Sequence, residues 1–77
     1  MKVSKDLQVE ILRKLYKAYS DCLFVDELKK GMPSDVTDKK VLGVCIYLED
    51  KGYVVSSKDG WRITASGIEF LEEKKLV

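Results

Sequence analysis

Apolar residues recur at helical spacing over most of this chain, interrupted by one short segment that alternates like a strand. The longest unbroken succession of signals runs from Thr37 to Lys75. At about 100° per residue, Val41, Val44, Cys45 and Leu48 share one helical face. Lys39, Gly43, Ile46, Tyr47 and Asp50 lie on the other side. Thr37 is suited to cap this helix, since its hydroxyl accepts from a free N–H of the first turn. Val36 and Val41 stand at the two positions of a hydrophobic staple. Asp38 favours the positive end of the helix dipole, and Gly52 after Lys51 fits a left-handed cap. Pro33 biases Met32 to an extended backbone, so the helix starts between Ser34 and Asp38. Next, Tyr53-Val54-Val55-Ser56 and Trp61-Arg62-Ile63 are β-rich runs. Asp59-Gly60 between them predicts a hairpin turn at positive φ. Thr64 then caps a last helix through Ala65, Ile68, Leu71 and Lys75. Phe70 points away from its Ile68/Leu71 face, and Leu76-Val77 is expected to fray.

The earlier half must supply the rest of the core, because two strands alone are marginal in water. Ser4 caps a helix from Lys5 to Tyr19, with Leu7, Ile11, Leu12, Leu15 and Tyr19 at helical spacing. Its other side carries Arg13, Lys14 and Lys17, together with Val9 and Tyr16. Ser20-Asp21 breaks the helix, and Cys22-Leu23-Phe24 is short, apolar and β-compatible. Val25 to Lys30 predicts a short helix with Asp26 and Glu27 at its start, Leu28 inward and Lys29-Lys30 at its end, a charge order that suits the dipole. Gly31 ends it.

Seventy-seven residues bound the answer to one domain, residues 1–77. A chain of this length buries only roughly 60% of its unfolded surface, so its stability margin is small. The net charge of +1 neither demands nor excludes nucleic acid. No apolar run reaches the length of a bilayer span, and no signal peptide is present. Cys22 and Cys45 are too far apart for a C-x-x-C pair, and the chain has no histidine to join them. That argues against a metal site and for a reduced, cytoplasmic protein with small semi-buried thiols. Without a nucleophile beside a base, neither an enzyme nor a cofactor is indicated.

The phrase L-E-D-K-G-Y-V, the Asp-Gly turn and the phrase R-I-T-A-S-G-I-E-F-L-E resemble the end of the third helix, the wing and the following helix of winged helix-turn-helix proteins. MarR-like and related small transcriptional regulators carry similar phrases. The resemblance covers residues 37–73, and the earlier residues only by element order. It implies an α+β fold in the order helix, strand, helix, helix, strand, strand, helix, with Cys22-Leu23-Phe24 as the first strand. It further implies double-stranded DNA as partner. The third helix would enter a major groove, with Thr37, Lys39, Lys40, Gly43, Ile46 and Tyr47 at the duplex and Lys58 and Arg62 on the wing. Small regulators of this kind often pair through their terminal helices. That favours Val9, Tyr16 and Phe70 as a homodimer patch over three scattered surface residues.

Charge weakens the DNA expectation. From Ser34 to Arg62, Lys39, Lys40, Lys51, Lys58 and Arg62 are matched by Asp35, Asp38, Glu49, Asp50 and Asp59. Counterion release supplies much of duplex affinity, and this stretch has no cationic surplus to drive it. Ordinary solvated charge is the plain reading of those lysines. The functional alternative is a winged-helix module whose third helix, through Leu42 and Ile46, binds a protein. Trp61 reads as packed beneath the wing rather than as a stacking platform. Cys45 reads as an inert core thiol.

Overall fold

The computed structural model describes residues 4–77. Four helices, α1 (Lys5–Lys17), α2 (Val25–Lys29), α3 (Asp38–Asp50) and α4 (Ala65–Glu73), enclose a hairpin of β1 (Val54–Ser57) and β2 (Gly60–Ile63). This small α+β arrangement is compatible with a winged helix. The core draws on every element. Ile11, Leu12 and Leu15 come from α1, Leu28 from α2, and Val41, Val44, Cys45 and Leu48 from α3. Val54, Trp61 and Ile63 come from the hairpin and Leu71 from α4. Among the described residues no polar or charged side chain is buried. The core therefore carries no desolvated polar group in need of a partner.

Local chemistry sets the element ends. The Oγ atoms of Ser4, Thr37 and Thr64 accept from Leu7 N, Lys40 N and Gly67 N and cap α1, α3 and α4. The C-terminus of α3 closes with two reversed bonds. Gly52, at φ 82°, donates to Glu49 O, and Tyr53 donates to Leu48 O. The chain thus leaves α3 already aimed into β1. α4 ends in the same way, with Lys75 in the left-handed position at φ 56° and Leu76 N donating to Leu71 O at 2.9 Å. Leu76 is half-buried and packs on the core. The expected fraying at this end is corrected at Leu76, because the reversed bond seats it.

Other boundaries and contacts also differ from expectation. α1 ends at Lys17 rather than Tyr19, α3 starts at Asp38, and the residues before Thr37 form turns. Cys22-Leu23-Phe24 forms no full strand. Only Leu23 pairs, exchanging bonds of 2.8 and 2.7 Å with Trp61. Phe24 is already committed to opening α2, its N–H donating to Glu27 Oε1 at 3.0 Å. The hairpin turn also sits one residue earlier than expected. Ser57 pairs with Gly60, so Lys58 and Asp59 form the tip, and the positive φ, 117°, falls on Gly60. A Cβ on Gly60 would lie 2.6 Å from the Leu23 carbonyl, so glycine is also required for the close approach to Leu23. Lys14 does not join the solvent face of α1. Its ammonium donates to the Leu28 carbonyl at 2.8 Å and to the Lys30 carbonyl, closing the negative end of α2.

Candidate nucleic-acid interface

α3 buries Val41, Val44, Cys45 and Leu48 and leaves its opposite face free. Lys39, Lys40, Gly43 and Ile46, with Thr37 just before the helix, border one open groove of about 1030 Å³ between α3 and the start of α1. Five of the expected α3 contact residues are thereby brought together. Tyr47 is not among them. It lies on the other flank of the helix, half-buried, with the Lys51 ammonium 5.3 Å from its ring centre. Thr37 is present chiefly as a cap, its Oγ1 held 3.1 Å from Lys40 N. No Cβ would meet an obstacle at Gly43, so the backbone here is open to a close approach from outside.

The apolar content of this groove is higher than charge patterning suggests. Leu42 is 42% and Ile46 48% exposed, and Leu7 and Val36 extend the apolar floor. Asp6 and Glu10 stand on the α1 side opposite the α3 lysines. The groove is therefore apolar at its base and of mixed sign at its edges.

The hairpin adds Lys58 at its exposed tip and Arg62 on β2, opposite Val55. Arg62 is half-buried, its Nη1 directed at the Ile63 carbonyl 3.5 Å away. Glu49 fixes the hairpin relative to α3. Its Oε2 accepts from Ser56 N at 3.1 Å and from Ser56 Oγ at 2.8 Å. Sequence reasoning counted Glu49 only as a charge. The contact joins residues on two elements, and no spacing rule marks it. At the other end of α3, Lys29 pairs with Asp38 at 3.0 Å and ties α2 to the start of α3.

The three side chains expected at a homodimer face are separated in character. Val9 and Phe70 line one groove between α1 and α4. Tyr16 is half-buried and packs on the core, outside that groove. Phe70 is half-buried as well, its ring stacked on Tyr53 with centroids 4.8 Å apart. Phe70 is therefore only partly free at the surface, because the Tyr53 ring covers one of its faces.

Trp61 is 9% exposed and lies in the core beneath the Leu23 bridge. It has no face free for a base. Cys45 is fully buried, and burial pushes its thiol up from 9.0 to about 12. A thiol so far from ionising lacks the thiolate that a nucleophilic cysteine needs at neutral pH. Among the described residues no group of three or more His, Cys, Asp or Glu side chains is placed to hold a metal ion. No described helix is long and apolar enough to cross a membrane.

Fold and site together define a small α+β domain with a free helix face beside a pinned hairpin. No family model, curated protein or solved structure matches the chain.

Proposed function

We propose that this is a winged-helix DNA-binding domain of the kind used by small transcriptional regulators, with α3 as the major-groove helix and the β1–β2 hairpin as the wing. One observation carries the reading. One face of α3 is sunk in the core, Lys39, Lys40, Leu42 and Ile46 stand exposed on the other side, and Glu49 holds the hairpin beside it. A helix presented in this way fits a major groove about 12 Å wide. Lys39 and Lys40 meet phosphates or guanine edges, Ile46 and Leu42 meet thymine methyl groups, and Lys58 and Arg62 meet the flanking backbone. Thr37 holds the helix start and Gly43 admits the backbone, while Tyr47 on the other flank takes no part.

A reader of this size covers one half-site, so two copies act together as a homodimer on a two-fold site. Val9 and Phe70 share one groove and Tyr16 lies outside it, so the three form no single apolar patch for pairing beforehand. The proposal is therefore that the duplex assembles the pair. Sedimentation should give a monomer alone and two copies per palindromic duplex.

A second reading rests on Leu42 and Ile46. Two large apolar side chains one turn apart, on a surface of balanced charge, also suit a protein partner that packs on α3. Titration against random-sequence duplex at low and moderate salt separates the two readings. The DNA reading requires binding that weakens steeply with salt and changes on Ile46→Lys. Absence of binding at low salt refutes it and leaves the protein-docking reading.

A further inference from the structure

The cationic surface of this molecule lies away from α3. The α1–α4 groove, of about 900 Å³, is bordered by Lys5, Arg13 and Lys17 from α1 and by Lys74 from α4. All four are exposed, and none makes an ion pair within the described chain, where Lys29–Asp38 is the one salt bridge. Lys14 also borders the groove, but its ammonium is held by the end of α2. Only Asp6 and Glu10 oppose these cations. The four free cations less the two acidic groups leave +2 at the groove, in a chain whose net charge is +1. The acids of α4, Glu69, Glu72 and Glu73, do not border it. The floor is apolar where Val9 and Phe70 face it.

Cations around an apolar floor are complementary to a segment with carboxylates on its edges and an apolar residue between them. We propose that the α1–α4 groove is a docking site for an acidic amphipathic segment of a partner protein. The apolar floor is the reason for preferring a peptide to the phosphates of a duplex. Phosphates gain nothing from burying Val9 and Phe70, whereas a leucine or phenylalanine between carboxylates does. The site shares only Asp6 and Glu10 with the α3 groove, so a segment docked there leaves the α3 lysines free for whatever α3 binds.

The test uses the full chain and a fluorescein-labelled peptide of repeated Glu-Glu-Leu-Phe, followed by anisotropy. A peptide of glutamate alone and a random-sequence duplex serve as competitors. The proposal expects saturable binding that weakens with salt, with the all-glutamate peptide competing poorly. Charge reversal at two exposed rim positions, Arg13→Glu with Lys74→Glu, should weaken the peptide by roughly tenfold, since each rim pair contributes modestly and is replaced by repulsion. Circular dichroism should show the variant folded, because neither side chain is buried. Lys40→Gln with Lys58→Gln should leave peptide binding unchanged. Absent binding, or binding indifferent to the rim reversals, overturns the proposal. So does equal competition by the all-glutamate peptide, which marks a plain counter-ion effect. If the rim reversals weaken the duplex instead, these cations serve DNA. If the protein self-associates and the reversals release monomers, the groove is an interface between copies. Either of those results also overturns it.

Discussion

Gly67 and Gly43 both lie inside helices, yet alanine should move the protein in opposite directions at the two sites. In a helix interior, glycine to alanine ordinarily gains about 1 kcal/mol, because alanine loses less backbone freedom on folding. At Gly43 nothing lies within 4 Å of the added Cβ, so that gain should appear whole. At Gly67 the Cβ would stand 2.3 Å from the Tyr53 carbonyl oxygen and 2.6 Å from Ile63 Cγ1. Neither can yield cheaply. The Tyr53 oxygen accepts from Thr64 N at 2.9 Å, which seats the first turn of α4 on the start of β1. Ile63 is fully buried. Overpacking of this kind costs about 1–3 kcal/mol, and displacing the Thr64 bond about 1 more. Set against a gain of about 1 kcal/mol, Gly67→Ala should be net destabilising by about 1–3 kcal/mol. For a domain of this size each kcal/mol moves the melting temperature by about 4–8 °C. Thermal unfolding followed by circular dichroism should therefore show Gly43→Ala melting higher and Gly67→Ala lower than wild type. If Gly67→Ala also melts higher, α4 does not approach Tyr53 as described.

Other expectations follow from single contacts. Cys45 keeps its proton to about 12 when folded but only to about 9.0 when unfolded, so between those values the unfolded chain binds fewer protons. Stability from this group should be intact below the lower value and fall by about 1.4 kcal/mol per pH unit above it. Denaturant melts of wild type and Cys45→Val across that range should diverge, and parallel curves would refute the burial argument. Glu49→Ala should cost about 0.5–1.5 kcal/mol. In a double-mutant cycle, Ser56→Ala should add little to it, and strictly additive losses would show that the Glu49–Ser56 contact is not formed. If α3 and the hairpin bind duplex, Lys40→Gln with Lys58→Gln should flatten the salt dependence by about one unit of slope per lost contact, measured by titration at several salt concentrations. An unchanged slope would move the phosphate contacts to other lysines.

Much of the architecture was legible because its causes are local. Thr37, Gly52 and Thr64 act on neighbours within a few residues, so the end of α3 and the start of α4 could be read from residue type and spacing, while the start of α3 stayed open between Ser34 and Asp38. The same holds for the inward set Val41, Val44, Cys45 and Leu48, which periodicity alone selects, and for Leu42 and Ile46 on the free side. What the sequence left open depends on partners distant along the chain. Whether Cys22-Leu23-Phe24 became a strand was decided by the single backbone bridge of Leu23 to Trp61 and by the commitment of Phe24 to the start of α2. Lys14 and Phe70 were assigned to solvent by helical angle. Their places were set instead by carbonyls at the end of α2 and by the ring of Tyr53. Nothing local in the sequence explains Gly67 within α4, and the approach of the Tyr53 carbonyl does. The division of labour on the surface is likewise tertiary. The balanced charge of α3 and the hairpin and the basic side of α1 are visible in the sequence, but the apolar floor and Lys74 join that side only when α1 and α4 are brought together.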